Sequence, residues 1–171
     1  MITIEDKSLN FGLLLTKKYF AIIKAIQDVT DEFYITGSIA LSLLGIIRRP
    51  INDIDIVVSS KEVFNLLYET FGGVFYQNYN EEVCSTEDYI PKHLRFTIAN
   101  IPVCVFFMQY ESAQEVQVYG EKYFISDPEH IISAKFNYVN QIINDGVTED
   151  SAKRLKKNIA DIQDYFVYLR K

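Results

Sequence analysis

The sequence predicts an α/β (α+β) fold, a mixed β-sheet flanked by helices with a helical pair at its C-terminal end. Three observations carry this. Amphipathic helical patterns alternate with short apolar strands in the order α-β-α-β-α-β-β-β-α-α, which implies a mixed sheet with helices packed on it. Apolar residues make up 49% and charged residues 23% of the 171 positions, the balance of an ordinary globular protein. Only 7 Gly and 4 Pro occur, so no disordered linker divides the chain. The expectation is a single domain over 1–171, with its core in about 30–110 and its C-terminal helices in about 127–170.

The elements follow in order. Residues 10–29 set Leu15, Tyr19, Ile22, Ile23 and Ile26 on one helical face, with Lys17, Lys18 and Lys24 off it. Phe33 to Thr36 reads as a strand stopped by Gly37, and Ser38 to Ile47 as a helix whose small Ala40 and Ser42 allow close packing. Pro50 disfavours helix at Arg49, so residues 48–52 form a loop. Ile54, Ile56 and Val58 alternate with Asp53, Asp55 and Val57 as a strand. Ser59 or Ser60 caps a helix over Lys61 to Phe71, which Gly72-Gly73 ends. Val74 to Tyr79, Leu94 to Ile98 and Val103 to Met108 read as strands, with Asn80 to Asp88 as a polar loop and 99–102 as a hairpin connection. A further small hairpin spans Val116 to Tyr119 and Tyr123 to Ile125 around Gly120. Asp127 and Pro128 open a helix as cap and first helical residue, and Thr148 opens the last one, Glu149 to Leu169.

Composition also excludes. The N-terminal ten residues carry Glu5, Asp6 and Lys7 and no apolar h-region, which argues against a secretory signal. The longest apolar-leaning run, Gly37 to Ile47, is too short to span a membrane. Cys84 and Cys104 make no disulfide framework and no CxxC ligand set, so a reducing cytoplasm is the simplest setting. A net charge of −6 disfavours long nucleic acid as a partner, since gripping a polyanion requires neutralising its phosphates.

Two features carry chemistry. Asp53 and Asp55, two apart on one strand, share a face with Cα atoms about 7 Å apart. Their mutual repulsion is relieved by a divalent cation, and Mg²⁺ suits such hard oxygen ligands while taking water and phosphates to complete its shell. Gly37-Ser38 stands at a strand-to-helix junction, where glycine permits close backbone approach and free helical N–H groups seat phosphate. The Ser38 hydroxyl adds a donor. Together these would hold a nucleoside triphosphate for in-line attack. A turn followed by solvated aspartates is the plain alternative.

Ile35-Thr36-Gly37-Ser38, then Arg49, then Asp53-Ile54-Asp55-Ile56-Val57 resembles the nucleotidyltransferase signature, hG[GS] followed by Dh[DE]h. The stretch GSIALSLLGIIRRPINDIDIVV is most similar to the AbiEii/AbiGii-type toxin nucleotidyltransferases, with an alanine-leucine helix and an arginine shortly before the DxD. Lys135 after Pro128, and Lys157-Asn158-Ile159-Ala160-Asp161-Ile162, similar to a KDxxD-like run, extend the likeness to the C-terminal part. The resemblance implies a nucleotidyltransferase-like fold and an enzyme that binds nucleoside triphosphate and Mg²⁺ and moves NMP to a hydroxyl of a small molecule, protein or RNA end. It implies metal at Asp53 and Asp55, which are also the catalytic pair, and nucleotide at Gly37, Ser38, Arg49 and Lys135. A toxin–antitoxin, phage-defence or antibiotic-modifying role goes with it.

One position departs from the family. Its third carboxylate lies on a later strand, and the matching strand here reads Val103-Cys104-Val105-Phe106. Cys104 therefore stands where an Asp is expected, and a neutral thiol is a poor base and a poor Mg²⁺ ligand. The alternative is a catalytically inactive nucleotidyltransferase fold that binds a nucleotide or a partner protein. Arg48 and Arg49 read equally as triphosphate contacts or a solvated loop, and Lys135 as phosphate contact or surface residue. Lys153, Arg154, Lys156 and Lys157 read as a wet helix face paired with Asp161 and Asp164. His93 and His130 read as structural, and Tyr79 or Tyr89 as candidates to stack a base.

Overall fold

A computed structural model describes residues 2–4, 17–76, 93–108, 112–118 and 120–171. Among these residues eight strands form one mixed sheet: β1 (Ile2–Ile4), β2 (Tyr34–Thr36), β3 (Ile54–Val58), β4 (Val74–Tyr76), β5 (His93–Ile98), β6 (Ile101–Phe107), β7 (Ala113–Val118) and β8 (Glu121–Ser126). Their spatial order is β1-β7-β8-β2-β3-β6-β5-β4. The helices are α1 (Lys17–Gln27), α2 (Gly37–Leu43), α3 (Lys61–Phe71), α4 (Pro128–Asp145) and α5 (Glu149–Tyr168), the last two being the C-terminal pair. This is the mixed α/β architecture that the pattern of elements predicts.

Register explains how the sheet separates core from site. Ile35, Ile56, Val105, Leu94 and Phe75 are successive register partners across β2, β3, β6, β5 and β4, and all are buried. Helix α3 packs on that face, with Phe64 against Phe75 and Phe107 at ring distances of 5.8 and 5.9 Å. One residue further along each strand the side chains point the other way. That next row reads Thr36, Asp55, Cys104, Arg95 and Val74. A single sheet thus buries its aliphatic side and presents a polar row on the opposite one.

Local signals account for most element ends. Ser60 caps α3 by accepting from the Val63 amide, and Gly72 ends it at φ 69°. Asp127 accepts from the Glu129 amide at 3.0 Å to start α4 at Pro128. Thr148 and Ser151 cap α5 reciprocally. Ala99 and Asn100, at φ 49° and 64°, form a two-residue β5–β6 turn of the primed kind that matches strand twist. The connection is therefore shorter than the expected 99–102, and Ile101 and Pro102 belong to β6. Pro102 is tolerated because the β3 pairing begins only at Val103, so its missing N–H breaks no ladder bond there.

Three other expectations are corrected. Helix α2 ends at Leu43 instead of Ile47, because Gly45 at φ 70° turns the chain back and the Ile46 amide bonds to Leu41 O at 2.9 Å. The hairpin at Gly120 is larger and joins the main sheet, with β8 parallel to β2. Strand β1, pairing parallel with β7, lies in a stretch where no strand is expected. Residues 10–16 of the first helix, 77–79 of the expected β4, the 80–88 loop, Tyr79, Cys84, Tyr89 and Tyr119 lie outside the described residues. Among the described residues no helix is long and apolar enough to cross a membrane.

Candidate functional site

Asp53 and Asp55 lie at the N-terminal end of β3, next to the end of β2 where α2 begins. Gly37 at φ 65° makes that junction possible, because an L side chain is strained there. Space adds a second reason. A Cβ on Gly37 would overlap the Asp55 carboxylate, lying 2.9 Å from its Cγ. The Asp55 carboxyl therefore rests against the start of α2, and glycine is the residue that lets it do so.

Electrostatics record the crowding. Burial pushes the Asp55 carboxyl up to about 7, the Asp53 charge adds to this, and Lys135, Lys157 and a hydrogen bond from Cys104 oppose it. Two carboxylates share a poorly solvated space, the condition that a divalent cation relieves. Cys104 is the β6 register partner of Asp55 and is 5% exposed. Burial, then the charges of Asp55 and Asp53, push its thiol up to about 12, so it stands protonated beside the pair. Among the described residues no three His, Cys, Asp or Glu side chains form a ready metal cluster. The two aspartates suit a hard cation that keeps open positions for water and phosphate oxygens, which is the Mg²⁺ habit.

Beside the aspartates lies a buried ionic network whose centre is Asp161 on α5, with no exposed surface. Arg49 grips it through two bonds, Nε to Oδ1 at 2.6 Å and Nη2 to Oδ2 at 2.7 Å. Lys135 Nζ lies 2.9 Å from Oδ2. The Ser38 hydroxyl accepts from Arg49 at 2.5 Å and from Lys135 at 3.3 Å and donates to Asp161 at 3.4 Å. Lys135 also donates to Asn158 Oδ1 at 3.2 Å, and Arg49 to the Pro50 carbonyl at 3.1 Å. Burial raises the Asp161 carboxyl, but its bonds to Arg49 and Lys135 outweigh this and hold it below the ordinary range. Lys135 is pushed down by burial against the opposing pull of Asp161.

The structure thus brings Gly37, Ser38, Arg49, Lys135, Asp53 and Asp55 into one region. It also changes what some of them offer. The Ser38 hydroxyl has one proton and two lone pairs, and all three are engaged, so it orders the cations. Asp161 is corrected from a partner on a wet helix face to the buried counterion of Arg49 and Lys135. Two cations against one anion leave one positive charge over, next to the aspartates. The signal in the sequence was the KDxxD-like run; helical spacing alone gave Asp161 to the surface. Arg154 instead pairs with Asp150 at 2.6 Å. His93 is buried against Phe106 and His130 is exposed.

The fold matches a protein of Thermotoga maritima assigned to the nucleotidyltransferases, at TM-score 0.55 and 16% identity over 86% of this chain and 96% of that one. It also matches ANT(2″)-Ia, solved with adenylyl-2″-tobramycin, at TM-score 0.57 and 18% identity over 89% of this chain and 90% of that one. The fold is that of the nucleotidyltransferases. No protein-family model matches the sequence, and no curated protein does. Identities this low carry the nucleotidyltransferase fold and not the subfamily.

Proposed function

We propose that this chain binds a nucleoside triphosphate with Mg²⁺ and transfers NMP to a hydroxyl acceptor. The observation that supports this best is the Asp55 carboxyl lodged against Gly37 with Asp53 beside it, on the same side as the Arg49–Asp161–Lys135 network. In this reading Asp53 and Asp55 hold the metal, which would neutralise charge on the phosphates as it builds. The backbone of Gly37 and Ser38 seats the phosphates. Arg49 and Lys135 act mainly as fixed positive charge, since Asp161, Ser38 and Asn158 already take most of their N–H groups.

The reaction balances simply. The acceptor oxygen bonds to the α-phosphorus, the bond from that phosphorus to the α,β-bridging oxygen breaks, pyrophosphate leaves, and the hydroxyl proton passes to water. The finer likeness to AbiEii/AbiGii-type toxins, carried by the GSIALSL…RRPINDIDI stretch, makes a cytoplasmic toxin–antitoxin or phage-defence enzyme part of the same reading.

Cys104 favours a second reading, a nucleotidyltransferase fold that binds nucleotide or a partner without transfer. Calorimetry with Mg·ATP, run beside a labelled-NTP transfer assay on cell extract, separates the two. Transfer is expected, with Asp53→Asn and Asp55→Asn each lowering it about a hundredfold or more. Binding without transfer would select the nucleotide-binding form of the second reading, and absence of Mg·ATP binding would sink transfer and leave only partner binding.

A further inference from the structure

We propose that Arg95 is the acceptor-side anion contact of this same site, so that the acceptor is a small molecule carrying a phosphate or carboxylate close to the hydroxyl that is modified. The proposal rests on the transfer reading above and names its acceptor class. Thr36, Asp55, Cys104 and Arg95 are successive register partners, so their side chains rise from one face of the sheet. Adjacent strands lie about 4.8 Å apart, which puts the Arg95 backbone about 10 Å from that of Asp55, within the reach of an arginine side chain.

Direction matters as much as distance. Gly37 and the Arg49–Lys135 cations lie on the β2 side of the aspartates, and Arg95 lies on the β6–β5 side. In-line displacement puts leaving group and nucleophile on opposite sides of the phosphorus. If the donor phosphates occupy the Gly37 side, the acceptor enters over Cys104, toward Arg95.

Three features suit Arg95 to an incoming anion. Its residue is exposed, and among the described residues its guanidinium makes no hydrogen bond or ion pair. Its neighbour at position 104 is a neutral thiol; a carboxylate there would stand opposite the guanidinium and cancel its charge. Beyond it, His93 stacks on Phe106 at 4.7 Å and meets Tyr76 in a tilted contact at 5.4 Å, on the same sheet face, giving the entry an aromatic flank. The neutral Cys104 thus leaves a positive charge at Arg95 that an anion can use. A net charge of −6 favours a small anion over a long polyanion.

The test uses the full chain with Mg²⁺ and α-labelled ATP, and a small-molecule extract split on anion-exchange resin. Labelling of the retained fraction is expected, with Arg95→Gln lowering kcat/KM for it about tenfold or more through KM, Arg95→Lys restoring part, and Mg·ATP affinity unchanged. Phosphatase treatment of that fraction distinguishes the sources, abolishing a phosphate acceptor and sparing a carboxylate one. Acceptor activity confined to the unretained fraction, or an Arg95→Gln variant equal to the parent, overturns the proposal while the transfer reading stands. No labelling in either fraction also overturns the proposal, and labelled-NTP transfer on whole cell extract, which includes protein and RNA acceptors, then decides the transfer reading separately.

Discussion

At the scale of single residues, Gly37 sets the geometry of the site. Two independent constraints meet there, a backbone at φ 65° and a carboxylate in the space that a side chain would fill. Gly37→Ala is therefore expected to cost about 1–3 kcal/mol, combining left-handed strain with displacement of Asp55. Denaturant unfolding followed by circular dichroism measures the first part, and Mg·ATP calorimetry the second, since a displaced Asp55 loses its alignment with Asp53. A variant as stable as the parent would show that the carboxylate moves aside freely. The need for glycine was legible in the sequence as a strand-to-helix junction. The carboxylate filling the Cβ position was not, because it depends on the β2–β3 register, in which Thr36 faces Asp55. A motif gives the residues and their spacing; a register gives their neighbours.

At the scale of elements, β5 shows how one strand serves core and site at once. Leu94 and Phe96 go to the apolar face, while His93 and Arg95 go to the other. His93 is buried against Phe106, and burial, then the Arg95 charge, push its imidazole down to about 4. The unfolded chain takes up this proton below about 6.5, whereas the folded chain resists until about 4, so stability is full above pH 6.5 and falls between those values. The loss is on the order of 3 kcal/mol. His93→Phe, which keeps the ring against Phe106, is expected to flatten this slope. Unfolding midpoints at about pH 7 and about pH 4.5 for parent and variant measure it; equal slopes would mean that other groups set the acid limit. The periodicity placed α3 with the bounds observed and β3 to within one residue, Asp53 lying just before it, because buried alternation and paired caps leave little choice. It overran α2, whose apolar spacing continues past the glycine that ends the helix, and missed β1, a three-residue strand too short to show alternation.

At the scale of the molecule, Arg49 and Asp161 join parts of the chain 112 positions apart, and through Lys135 the pair ties α4 and α5 to the β3 end of the sheet. Helical spacing by itself announces no contact across that separation, which is why it assigned Asp161 to solvent, and the KDxxD-like run was the one signal to the contrary. Removal of Asp161 tests how far the C-terminal pair organises the site. Asp161→Asn takes the buried counterion from two partly buried cations, a change expected to cost about 3 kcal/mol. For a chain of this size that lowers Tm by about 2–4 °C per kcal/mol. Asp161 is held below the ordinary carboxylate range, so its contribution is complete above about pH 4 and is lost as pH falls through the folded value. The parent should therefore lose this increment in acid, whereas Asp161→Asn has none to lose. Pairing Arg49→Met with Asp161→Leu removes the Arg49–Asp161 pair and leaves Lys135 without its counterion, so it should recover part of the stability lost in Asp161→Asn. Mg·ATP binding should stay impaired in both variants, since the positive charge beside Asp55 is then misplaced or gone. Full stability in Asp161→Asn, or unchanged nucleotide affinity in the double variant, would separate the helical pair from the site and leave the sheet alone to build it.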